Sequence, residues 1–493
     1  MTVQQMSLLS GLNEDCVHLI LRTLDRSSLI AFSLTCRAAS SLAQPYLVRD
    51  VHIYGDAKQN LSFCQFVLSR NLAQYIVTFR LEQLLGVDEP SMEAYPALLA
   101  EVLSGATSLH SFSITHLATT LFKFEPRIPA ALTKAPALKS LTLTNIDLVA
   151  LQSLHPIHGL QCLSINKFLF HGFRSTVAIE LAKFIAGSAE TLTQLELSMT
   201  VQSTYEPIAL LTEYICPHVR WIRVASRRVF TEYLLYAFPN LEEIHFESQL
   251  HEDFEFYFSR ADAQSWPHLK FLGGCLDIVK VMTRKHRPPH LAVVFGIDTD
   301  EGSRELLQIV RRCPIISLSF LARFGRLTDT STPVDSSHTF SVAEFLTALV
   351  RAAPNMQCLS FFPWFGPYLS CMTVLRELLG AQIIHILASL RSLSCLSLEI
   401  FADRLIDEGQ ADEPANVDGY AEELLKALPN VSYLRLALRT PGRIVGSHCC
   451  RPSEASSVTH AGTRHGEVIE IHEEDYTKAE KKIIGKRGVE FFY

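Results

Sequence analysis

Apolar and polar positions follow a recurring pattern along this chain. From about residue 109 a motif of the form apolar-x-x-apolar-x-apolar returns at irregular spacing. Five copies open two residues after a proline: PALKSLTL (136–143), PHVRWIRV (217–224), PNLEEIHF (239–246), PNMQCLSF (354–361) and PNVSYLRL (429–436). SLHSFSI (108–114), GLQCLSI (159–165), TLTQLEL (191–197) and SLSCLSL (392–398) are copies without the proline. Chance would place about one copy behind a proline in a chain of this composition, so the five argue for a true internal repeat. PHLKFLGG (267–274) closes on glycine where an apolar residue is due, and PIISLSF (314–320) sits one residue out of step. Both are expected to be irregular turns.

The last two apolar residues of each copy point to one side of a short strand, and the residues before and between them point to the other. Proline ahead of the strand occupies a place from which no ladder hydrogen bond is needed. Segments with helical spacing lie between copies, such as AIELAKFIAG (178–187), SVAEFLTALVRAA (341–353) and GYAEELLKAL (419–428). Strand, turn, helix and return make one coil. Stacked coils predict an α/β fold with parallel strands inside and helices outside. The array resembles leucine-rich repeats of the degenerate, variable-length kind, which implies an irregular horseshoe over residues 51–493. Polar stretches near 404–420 and 441–466 read as mobile insertions between coils.

The first fifty residues differ. Leu12, Val17, Ile20, Leu21 and Leu24 fall at helix-compatible spacings behind Asn13, a suitable N-cap. Asp25 begins a break, after which Ser27 or Ser28 can cap a second helix carrying Leu29, Ile30 and Phe32 and ending before Pro45. Helices this short cannot bury both apolar faces against one another. The surplus face takes either a partner or the open end of the array.

The run Leu12-x-x-Asp15-Cys16-Val17-x-x-Ile20-Leu21-x-x-Leu24, followed by Leu29 and by Thr35-Cys36-Arg37, is similar to the F-box motif. With LAQPYLVRDVHIYG (42–55) and a repeat array behind it, the chain resembles fungal F-box proteins of the leucine-rich-repeat type. The resemblance implies an F-box-like helical segment over residues 1–50 that docks a Skp-family linker subunit, and through it a cullin-RING ubiquitin ligase. Leu12, Val17, Ile20, Leu21, Leu24 and Leu29 would then supply the apolar contact, though not all of them can face the linker, since some must hold the small helical unit together. It further implies a non-catalytic adaptor in the cytoplasm, the nucleus or both, whose array binds a target protein. Asn13, Asp15, Cys16, Thr35 and Ala39 stand where the motif commonly has proline, glutamate, an aliphatic residue, valine and tryptophan. The alternative is a repeat scaffold whose helices only cap the solenoid.

Composition removes other classes. No apolar run approaches the ~18 residues that a spanning helix needs, and MTVQQMSLLSG lacks the basic and apolar regions of a secretory signal. No membrane partner is expected. The 12 cysteines include no C-x-x-C pair, which argues for reduced thiols over a zinc ribbon or disulfide framework. A net charge of -7 gives no general attraction to nucleic acid. G-x-S-x-G, G-x-G-x-x-G, P-loop and H-E-x-x-H motifs are all missing, so no enzyme activity, cofactor or metal is expected. HPIH (155–158) reads as a loop, and RKHR (284–287) and KKIIGKRG (481–488) as solvated charge runs.

The outward strand positions form a ladder that would line the concave surface. Its middle groups Trp221, Arg223, Glu243, His245 and Phe271, an aromatic and charged set of the kind that anchors protein interfaces. These five are the candidate target-binding residues; the competing reading has a neighbouring loop covering Trp221 and Phe271.

Overall fold

The computed structural model describes residues 13–450 apart from 56, 85–88, 116–117, 169–173, 200–213, 226–227, 248–254, 258–265, 295–296, 298, 325–340, 366–377, 379, 403–416 and 441–442. The chain divides into two compact units, 1–241 with 252–264, and 242–251 with 265–493.

The first unit opens with helices α1 (Glu14–Thr23), α2 (Arg26–Ser33) and α3 (Arg37–Leu47). Strands follow: β1 (Asp50–Gly55), β2 (Thr78–Leu84), β3 (Ser111–Ile114), β4 (Ser140–Thr144), β5 (Cys162–Phe168), β6 (Gln194–Met199) and β7 (Trp221–Ala225). Each pairs in parallel with the next along the chain. The array therefore begins earlier than residue 109. Val48, Val51 and Ile53, and then Ile76, Phe79 and Leu81, fit the same apolar motif and are buried. Phe79 and Phe112, in register on β2 and β3, stack with ring centroids 6.0 Å apart.

In the second unit, β8 (Glu243–Phe246), β9 (Phe271–Gly274), β10 (His290–Val293), β11 (Ser317–Phe324), β12 (Cys358–Phe365), β13 (Cys395–Ala402) and β14 (Tyr433–Thr440) also pair in parallel in chain order. Helices alternate with them, among others Asp300–Arg312, Val342–Ala352 and Val417–Ala427. Ser341 caps the second of these through a capping box: its hydroxyl accepts from the Glu344 N–H while the Glu344 carboxylate accepts from the Ser341 N–H. The Pro-Asn pairs gain a physical role. Asn240 Nδ2 donates to the Pro217 carbonyl at 3.0 Å, and Asn430 Nδ2 donates to the Arg391 carbonyl at 2.9 Å, each tying a turn to the coil before it.

Four expectations need correction. PHLKFLGG is a regular strand whose Gly274 pairs with Val293. A Cβ there would lie 3.2 Å from the Phe246 Cβ, so the glycine permits close approach of two strands. PIISLSF is likewise in step, with Leu318 aligned to Leu291 and Leu359; only its proline is displaced. The expected insertion at 441–466 contains β15 (Arg443–Cys450), antiparallel to β14, which covers an edge that would otherwise be unpaired. Its remainder, 451–466, lies outside the described residues, as does KKIIGKRG. The insertion near 404–420 ends in helix, since Val417–Ala427 begins inside it.

The opening helices correct a further expectation. Asp25, not Ser27 or Ser28, caps α2, accepting from the Ser28 N–H at 2.7 Å. That helix stops at Ser33, and Cys36 starts α3, its Sγ accepting from the Ala39 N–H at 3.4 Å. Pro45 lies inside α3, in its last turn, where it forgoes the hydrogen bond that an N–H would give the carbonyl four residues earlier.

Candidate functional site

The three opening helices make a small unit with a core of its own. Val17 and Leu21 from α1 and Leu29 from α2 form its core, with Leu24, Phe32, Leu42, Tyr46 and Leu47 packed against them. His18 Nδ1 and the Tyr46 hydroxyl, 2.5 Å apart, tie α1 to α3. Burial raises the Tyr46 pKa above its ordinary value. Ala39 is also fully inside, so the place where the motif commonly has tryptophan holds a small core residue.

This packing re-sorts the expected linker contacts. Val17, Leu21 and Leu29 face inward, Leu24 is half-buried against them, and of the described candidates Ile20 alone is exposed. Leu12 lies outside the described residues. The motif's consensus leucines hold the helical unit together. The outward apolar set is instead Leu19, Ile20, Ile30 and Leu34, exposed to 65%, 44%, 45% and 80%. Leu19, Ile30 and Leu34 were absent from the candidates. The signal for Leu19 lies in α1, whose run Val17, Leu19, Ile20 and Leu21 has more apolar residues than one buried face takes.

In the first unit the outward ladder is polar and accessible. Ser164, Glu196 and Arg223 occupy one rung across β5, β6 and β7. Asn166 Nδ2 donates to Ser164 Oγ at 3.0 Å, and Ser164 Oγ donates to Glu196 Oε2 at 2.7 Å. Arg223 Nη1 lies 3.5 Å from Glu196 Oε1, both side chains about one-fifth exposed. Trp221, two residues before Arg223, is half-buried and in register with Gln194. This arrangement presents a carboxylate–guanidinium pair, with a serine hydroxyl on the same carboxylate, beside an indole.

The other candidates belong to the second unit and behave differently. Glu243 is half-buried, whereas His245 and Phe271 are buried and stack with centroids 4.4 Å apart. Gly273 is in register with His245 and offers no side chain to fill that rung, leaving the imidazole against Phe271. The expectation that both present themselves to a target is therefore corrected.

The histidine motifs also resolve. His155 approaches Glu180 at 3.3 Å and stacks on Phe184, while His158 Nδ1 sits 3.2 Å from the Gly187 carbonyl. In RKHR, His286 packs on Trp266, and burial lowers its pKa; Arg284, Lys285 and Arg287 are exposed. Among the described residues no cluster of three metal-ligating side chains occurs, and no helix is long and apolar enough to cross a membrane.

Comparison with known proteins agrees with the geometry of the helical unit. Residues 9–45 match the F-box domain family. The chain thus carries an F-box domain, followed by parallel strands and helices in a solenoid-like α/β arrangement. No curated protein matches the chain by sequence. Among solved structures, a chain from the crystal structure of the Rad7 and Elc1 complex in yeast overlaps 88% of this chain and 92% of its own length, at 10% identity and a TM-score of 0.37. An overlap that loose carries no argument about function.

Proposed function

We propose that the chain is a non-catalytic substrate-recognition adaptor. Its F-box helices dock a Skp-family linker subunit, and through it a cullin-RING ubiquitin ligase; the repeat array holds a target protein. The observation that carries this reading is the set Leu19, Ile20, Ile30 and Leu34, exposed on a helical unit whose own core is formed by Val17, Leu21 and Leu29. Apolar surface left outside the core is what a partner interface supplies. On the array, the target surface starts from Trp221 and Arg223 with its partner Glu196. Such ligases act in the cytoplasm and nucleus, and the adaptor is placed there too.

One observation favours the competing scaffold reading. Helix α3 runs almost directly into β1, where Arg26 Nη1 donates to the Asp50 carbonyl at 3.5 Å, as a solenoid cap would. Co-purification with a Skp-family linker separates the two. The intact chain should retain the linker, and Ile20→Asp with Leu34→Asp should weaken retention at least ~100-fold, because a carboxylate buried without a partner is costly. Both positions are exposed, so the double variant should stay folded by circular dichroism. A folded wild-type chain that retains no linker moves the conclusion to the scaffold.

A further inference from the structure

Cys358 opens β12 and Cys395 opens β13, and the two are in-register partners across parallel strands. Both are buried, at 6% and 0% exposure. In-register residues of neighbouring strands have Cα atoms about 4.8 Å apart and side chains on the same face, inside the ~4.4–6.8 Å window that a disulfide spans. The thiols already lie close enough for Cys395 to hydrogen-bond Cys358.

That contact sets the pair apart. Burial pushes Cys64 up to about 12 and Cys216 and Cys313 up to about 11, which keeps those thiols protonated and inert. Cys358 is just as deep, yet the Cys395 hydrogen bond draws its pKa below the ordinary thiol value. It is the more nucleophilic member, with a second sulfur beside it.

We propose that Cys358 and Cys395 are a dithiol modification site, closed to a reversible disulfide by a peroxide-class oxidant. The Cys358 thiolate attacks a peroxide oxygen, breaking the O–O bond to give a sulfenic acid and hydroxide. The Cys395 thiolate then displaces hydroxide from that sulfur. Two thiols lose two electrons and two protons, and hydrogen peroxide becomes two molecules of water. Parallel in-register Cβ atoms must draw together to close the bond, and the strain makes it easy to reduce again. The closed form staples two neighbouring coils and resists their separation.

The test uses the full chain and hydrogen peroxide in small molar excess, followed by alkylation under denaturing conditions and non-reducing peptide mapping. The expected result is a cross-link between the peptides holding Cys358 and Cys395. An unfolding midpoint raised by about 5 °C should accompany it, and dithiothreitol should reverse both. In Cys395→Ser the cross-link should vanish and Cys358 should become trappable as a sulfenic acid. If that variant does not fold, the wild-type map still decides. Full alkylation of Cys358 and Cys395 after treatment, with oxidation confined to the exposed Cys16 and Cys36, would overturn the proposal, as would a cross-link from Cys358 to any other cysteine.

Discussion

One rung of the first unit runs through His52, Arg80, Ser113, Thr142, Ser164, Glu196 and Arg223, and all of these are exposed or half-buried. The second unit has a rung built the same way, through His245, Gly273, Ala292, Ser319, Ser360, Ser397 and Arg435, and every member is buried. Strand period and parallel pairing are the same in both. The side chains differ: the buried rung is mostly glycine, alanine and serine, small enough to allow close approach, whereas the accessible one carries longer polar groups. An outward position in a repeat is therefore not a surface position until its neighbours are known, and the first unit's ladder is the one that stays accessible.

The contrast is most easily broken through its two ion pairs. Glu399 and Arg435, 3.2 Å apart, have side chains only 2% and 6% exposed, while Glu196 and Arg223 are about one-fifth exposed. Glu399→Ala leaves a buried guanidinium without its carboxylate and should destabilise the second unit by about 3–5 kcal/mol. Glu196→Ala should cost at most about 1 kcal/mol. Chemical denaturation measures both, and equal losses would erase the distinction between the two faces.

Trp221→Ala sharpens the same comparison from the binding side. If the first unit's ladder holds the target, this change should weaken capture by about 2 kcal/mol or more while leaving the fold intact. Mass spectrometry of proteins captured by wild type and variant reads the outcome; an identical set would remove Trp221 from the interface.

The smallest effect concerns the F-box helices. The Ser28 N–H and hydroxyls of α2's first turn hold the Asp25 carboxyl below its usual pKa. A depressed carboxylate contributes stability above its unfolded pKa, about 3.9, and loses it as pH falls through the lower folded value. The protection of α2 amides against hydrogen exchange, taken relative to the intrinsic rate at each pH, should therefore fall below about pH 4, and Asp25→Asn should flatten that dependence.

Much of this was legible in the chain because it is local. The spacing of Leu141 and Leu143, or Leu434 and Leu436, marks one buried strand face; Asn13 does cap a helix where the sequence suggests. The motif extends to β1 and β2, where Val48, Val51 and Ile53, and Ile76, Phe79 and Leu81, keep the same spacing without a proline two residues ahead of it. The F-box motif was legible as a motif, and residues 9–45 match that family; that some of its apolar residues must hold the helical unit together was legible too, and packing shows these to include Val17, Leu21 and Leu29.

By itself, then, the sequence determined the coil: which residues alternate, where helices start and which strand face is apolar, since these follow from backbone period and capping within a few residues. The tertiary structure decided which outward positions remain open. Ile20 and Leu19 stand exposed beside buried Leu21, and Arg223 is reachable while Arg435 is not. Period fixes the direction of a side chain, but burial depends on what packs over it from elsewhere in the chain, and no local pattern records that.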